Sequence, residues 1–127
     1  MMFLDGDNPA MDGDMRIVIN GVVSDFVTNA PISDIKVTFS AYAENSLSVL
    51  PIASTTVMTN SQGIYTIEMF GFSDPVTCTV TAESTDHTAD EYETMTNKIV
   101  VNWSGTSFNA DTRTFYVNDC NFQMKKN

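Results

Sequence analysis

The only histidine of the chain, His87, lies in the run D-H-T-A-D-E-Y-E, beside Asp86, Asp90, Glu91 and Glu93. A zinc site asks for three or four ligands drawn from Cys, His and carboxylate. One imidazole among loop acids is a thin set, and His87 reads as an exposed loop residue. Ser–His–Asp catalysis would have to run through the same imidazole, and no serine stands in a nucleophile elbow. A glycosidase needs two carboxyls held at a fixed separation, and here the acids only cluster in loops. Asp5, Asp7, Asp12 and Asp14 invite a calcium reading. They lack the third early ligand, the sixth-place Gly and the twelfth-place Glu of a calcium loop. No metal, no cofactor and no catalytic residue is expected.

Two thiols and three aromatics complete the candidates. Cys78 and Cys120 fall on inward faces of predicted strands. They read as small apolar core residues, with a disulfide across the fold as the alternative. Neither has a His or Lys beside it to make a reactive thiolate. Tyr92, Trp103 and Phe108 fall near predicted loops at strand ends. Aromatics so placed stack on a sugar or grip a peptide, so these three are the expected binding residues. The competing reading makes Trp103 a cap on the core.

The elements that position these residues are strands. Ile35, Val37, Phe39 and Ala41 alternate with Lys36, Thr38, Ser40 and Tyr42. That is period two, with one face buried. Val76, Cys78, Val80 and Ala82 alternate as cleanly with Thr77, Thr79, Thr81 and Glu83. Seven strands are predicted, at 15–24, 34–43, 52–59, 64–70, 76–84, 95–103 and 113–125. The third alternates weakly and is expected at an edge. In the seventh, Phe115 and Val117 share one parity, while Cys120, Phe122 and Met124 share the other. That flip needs one extra residue, a β-bulge placed at Asn118 and Asp119. No ten-residue stretch has capped helical spacing. The expected fold is all-β, a seven-stranded, antiparallel-dominated sandwich of two sheets. Residues 1–14 read as a flexible acidic tether and 15–127 as the domain.

Two turns carry a resemblance. The first reads G-V-V-S-D-F-V-T-N-A-P-I-S-D-I-K-V from Gly21. The second is T-N-S-Q-G-I-Y, with Gly63 suited to a positive φ before the next strand. Gly21, Val23, Asp25, Thr28, Pro31, Ile32, Ile35 and Val37 fill the first pattern, and Thr59, Gly63 and Tyr65 the second. Together they resemble the carboxypeptidase regulatory-like domain, over about residues 15–103. The resemblance implies a transthyretin-like (prealbumin-like) sandwich and says almost nothing of activity. Asn60 replaces the usual Asp, and the connection 44–51 is longer than usual. Related chemistry is not matched. Iron dioxygenases of a related sandwich need two His and two Tyr. Purine-pathway hydrolases of the transthyretin-like fold use several His and a closing Tyr-Arg-Gly-Ser, which this chain lacks.

The 127 residues make one domain of ordinary size. Six basic against 16 acidic residues give a net charge of −10. Charge-driven binding to nucleic acid or to an anionic membrane is therefore not expected. No run is long enough to span a membrane. The closing N-D-C-N-F-Q-M-K-K is similar to the ends of small bacterial lipoproteins with this fold. The expectation is a non-enzymatic, exported module of the bacterial periplasm or cell surface. It would bind a protein or glycan, or brace the envelope, through loops or an edge strand. Its membrane contact would be at most a lipid anchor ahead of residue 1. The alternative is an accessory domain of a larger envelope enzyme or transporter.

Overall fold

The computed structural model describes residues 15–43, 51–72, 76–101 and 108–127. The predicted tether lies outside these residues, as do most of the connection 44–51 and Trp103. The described chain is an all-β sandwich. Its strands are β1 (Met15–Asp25), β2 (Lys36–Ala43), β3 (Ala53–Met58), β4 (Ile64–Phe72) and β5 (Val76–Glu83), followed by β6 (Met95–Val101), β7 (Phe108–Asn109), β8 (Thr114–Val117) and β9 (Phe122–Met124). One sheet has the order β4-β1-β8-β7, with β9 also paired to β1. The other runs β3-β2-β5-β6.

The alternation read from the sequence becomes the core. β1 buries Ile17, Ile19 and Val23; β2 buries Val37, Phe39 and Ala41; β5 buries Val76, Cys78, Val80 and Ala82. Ile67 of β4 and Phe122 and Met124 of β9 fill the space between the sheets. Burying a side chain of this size stabilises by about 1.5–3 kcal/mol. The opposite parity of the second sheet carries hydroxyl pairs: Thr38 with Thr56 at 3.4 Å and Thr81 with Thr96 at 3.0 Å. β3 pairs only with β2 and so lies at the sheet edge.

The turn ahead of β4 is built on Asn60. Its Oδ1 accepts the amides of Gln62 and Ile64 at 2.9 and 3.0 Å. Gly63 sits at φ +74, and a Cβ there would lie 2.4 Å from the Val23 carbonyl oxygen. Only glycine meets both conditions.

The last strand departs most from expectation. It splits into β8 and β9, both running parallel to β1, so the first sheet is mixed. Partners on β1 and β8 are 98 positions apart (Ile19 with Val117), and on β1 and β9 they are 99 apart (Val23 with Phe122). The one extra residue inferred from the parity flip is therefore present. It costs a longer break than a bulge, because residues 118–121 leave the ladder and tie to β1 through Cys120 and Asn121. The Cys120 amide donates to the Asn20 carbonyl at 3.0 Å, and the Val22 amide donates to Asn121 Oδ1 at 2.8 Å. The short β7 falls inside a segment expected to be loop. Among the described residues it brings the strand count to nine, against the seven expected.

Candidate functional site

Asp25 ends β1 and turns the chain. Its Oδ1 accepts the amides of Val27 at 2.8 Å and Thr28 at 3.0 Å. Its main chain closes the same turn, with Asp25 N–H on the Ala30 carbonyl and Asn29 N–H on the Asp25 carbonyl. Its Oδ2 accepts the Tyr92 hydroxyl at 2.9 Å. The Thr28 and Val27 amides hold the carboxyl below its usual range, helped by Tyr92 and the charge of Lys126. Burial, and then the Asp25 bond, pushes the Tyr92 hydroxyl up to about 12. The D-x-x-T part of the turn pattern is thus an Asp-anchored turn, locked by Tyr92 from the chain entering β6.

This turn throws Phe26 outward. Phe26 is 50% exposed, and Lys125 Nζ sits 4.9 Å from its ring centroid. With Val22 and Ser24 it forms the solvent-side row of β1. Asn121, Gln123 and Lys125 form the neighbouring row along β9. The Phe26 amide donates to the Met124 carbonyl, and the Glu93 amide donates to the Lys125 carbonyl, both at 2.8 Å. Beyond that second bond the chain entering β6 parts from β9. The two rows with Glu93 and Met95 line an open groove of about 800 Å³.

The aromatics expected to bind do not meet there. Tyr92 is buried, and its hydroxyl is spent on Asp25. Phe108 lies half-buried on β7, opposite Phe115 and against the core. Trp103 lies outside the described residues. Phe26 is the aromatic that lines this groove. Its signal in the sequence was parity: Val22 and Phe26 put bulky apolar groups opposite Ile17, Ile19 and Val23, on the side that faces water.

His87 is exposed in a loop pinned to the Asp34 carbonyl by the hydroxyls of Thr85 and Thr88. Among the described residues, no three His, Cys, Asp or Glu side chains gather as a metal site. Both cysteines are free and buried. Burial pushes the Cys78 thiol up to about 12, which leaves it a poor nucleophile.

No protein-family model matches the chain, and no curated protein does. Solved structures do. Against 3-chlorocatechol 1,2-dioxygenase from Rhodococcus opacus 1CP the TM-score is 0.58 at 13% identity, covering 98% of this chain and 63% of that one. Against chlorocatechol 1,2-dioxygenase from Pseudomonas putida it is 0.56 at 13% identity, covering 88% and 61%. The chain thus spans less than two thirds of either enzyme. At this identity the likeness shows a shared fold.

The likeness corrects one expectation. The sequence leads to the expectation of a non-enzyme, yet the sandwich it forms is one on which dioxygenases are built. The fold therefore gives no ground for setting catalysis aside. A ligand set of two His and two Tyr does not fit the residues present. There is one His, it is exposed, and the hydroxyls of Tyr65 and Tyr92 are buried and bonded to the Cys120 carbonyl and to Asp25.

Proposed function

We propose that the chain is a binding module of the bacterial cell envelope, of the carboxypeptidase regulatory-like kind, and that it holds its partner in the groove beside Phe26. The observation that carries this reading is the groove itself. A half-exposed aromatic ring is fixed at its rim by a turn whose amides and Asp25 carboxylate are bonded within the fold. A rigid scaffold presenting such a ring loses little entropy when a partner settles on it. The turn residues that resemble the regulatory-like family are the ones that aim the ring. The envelope assignment rests on the closing pattern 118–126 and its likeness to small lipoproteins of this fold.

The test is retention of solubilised envelope components, both glycans and proteins, on immobilised wild type, Phe26→Ala and Val22→Ser. A component held by the wild type and lost from both variants is the expected outcome. Equal retention on all three would place binding elsewhere, and retention on none would remove the binding role.

A further inference from the structure

We propose that the groove takes a neutral saccharide, bound through side chains alone. This deepens the groove reading above and rests on it. The first observation is the nature of the floor. It is formed by the outward side chains of β1 and β9, which bond to each other. At its mouth the Glu93 amide is already given to the Lys125 carbonyl. An added peptide strand needs free main-chain donors and acceptors in a row, and between β1 and β9 these are already paired with each other. What the floor offers is side chains.

The second observation is their chemistry. Phe26 and Val22 are 50% and 41% exposed. They supply an apolar platform for the C–H face of a sugar ring, which is weakly positive where the aromatic face is negative. Around it stand two carboxamides, each already tied down by one atom. Asn121 Oδ1 accepts the Val22 amide at 2.8 Å, and Gln123 Nε2 donates to Asn29 Oδ1 at 3.3 Å. Asn121 Nδ2 and Gln123 Oε1 have no protein partner among the described residues. One free donor and one free acceptor, both held in place, suit sugar hydroxyls, which donate and accept.

The third observation is charge. The groove carries one anion, Glu93, and one cation, Lys125, so its local charges balance. The chain around it carries a net −10 and repels acidic glycans. A ligand with hydroxyls, an apolar ring face and no net charge fits all three observations. The volume lies within the range of about 300–1,000 Å³ usual for small-molecule sites.

The test is an amide NMR titration of the full chain. Its probes are soluble neutral oligosaccharides (gluco-, manno- and xylo-oligomers), an acidic galacturonate oligomer and an extended neutral peptide. At least one neutral oligomer should shift the amides of Ser24, Phe26 and Gln123. Phe26→Ala should weaken it about tenfold or more, and Gln123→Ala should weaken it too, with both variants retaining the wild-type spectrum elsewhere. Shifts from the acidic oligomer alone, or neutral binding untouched by both variants, would overturn the inference. If only the peptide moves these amides, the saccharide is wrong while the groove remains the site. If no probe moves them, both readings fall.

Discussion

The Tyr92 hydroxyl donates to Oδ2 of Asp25 over 2.9 Å and ties the turn after β1 to the chain entering β6. The two residues are 67 positions apart, and each belongs to a different sheet's connections. Phe26, next to Asp25, is aimed by this lock, and so is the groove beside it.

Asp25 should give the protein an acid limb of stability. Its carboxyl is held low, first by the Thr28 amide and then by the Val27 amide. The unfolded chain therefore takes up the proton more readily than the folded one. The stabilisation is complete above the ordinary value of 3.8 and is lost as pH falls through the lower folded value. Asp25→Asn should melt earlier than wild type at neutral pH, and the gap should narrow in strong acid. Thermal melts across that range check this; a gap independent of pH would show that the charge is not what holds the turn.

Gly21→Ala should be costly. A Cβ there would lie 1.9 Å from the Cys120 carbonyl oxygen and 2.7 Å from the Tyr65 ring. That carbonyl also accepts the Tyr65 hydroxyl, so it cannot retreat freely. Overpacking of this sort costs on the order of 1–3 kcal/mol. Urea denaturation should show a lower midpoint at unchanged slope.

Thr59 is buried and bonds in both directions. Its hydroxyl donates to the Ile32 carbonyl at 2.8 Å and accepts the Ile35 amide at 3.0 Å. Thr59→Val keeps the shape and leaves both main-chain groups unsatisfied, a loss of about 1–3 kcal/mol for each buried orphan. Thr59→Ser should keep most of the stability. Equal midpoints for Val and Ser would mean that water replaces the hydroxyl.

Cys78 and Cys120 should resist a thiol reagent in the native state and react fully once unfolded without reductant, because both are free and buried. Labelling followed by mass measurement decides it. A single labelled thiol in the native protein would mean that one strand opens locally.

What the sequence determined by itself is the facing of the strands. Period two in β2 and β5 marks the buried side residue by residue, because burial is a local property of a pleated chain. The turn at Gly63 was legible for the same reason, as was the extra residue ahead of Phe122. The tertiary structure alone decided who pairs with whom. Nothing local to residues 113–125 says that both halves run parallel to β1, since their partners lie 98 and 99 positions away in the chain. Tyr92 looked like a loop aromatic and became part of the core, because its hydroxyl found Asp25 across the sandwich. The groove joins residues 22–26, 93–95 and 121–125 on the solvent-facing parity. On that side burial imposes no pattern, so the sequence leaves no regular trace of it. Counting histidines judged which ligand set could be built, but not what the fold can carry. That came from the overall arrangement of the strands, which chains of 13% identity share because many sequences satisfy the same alternation.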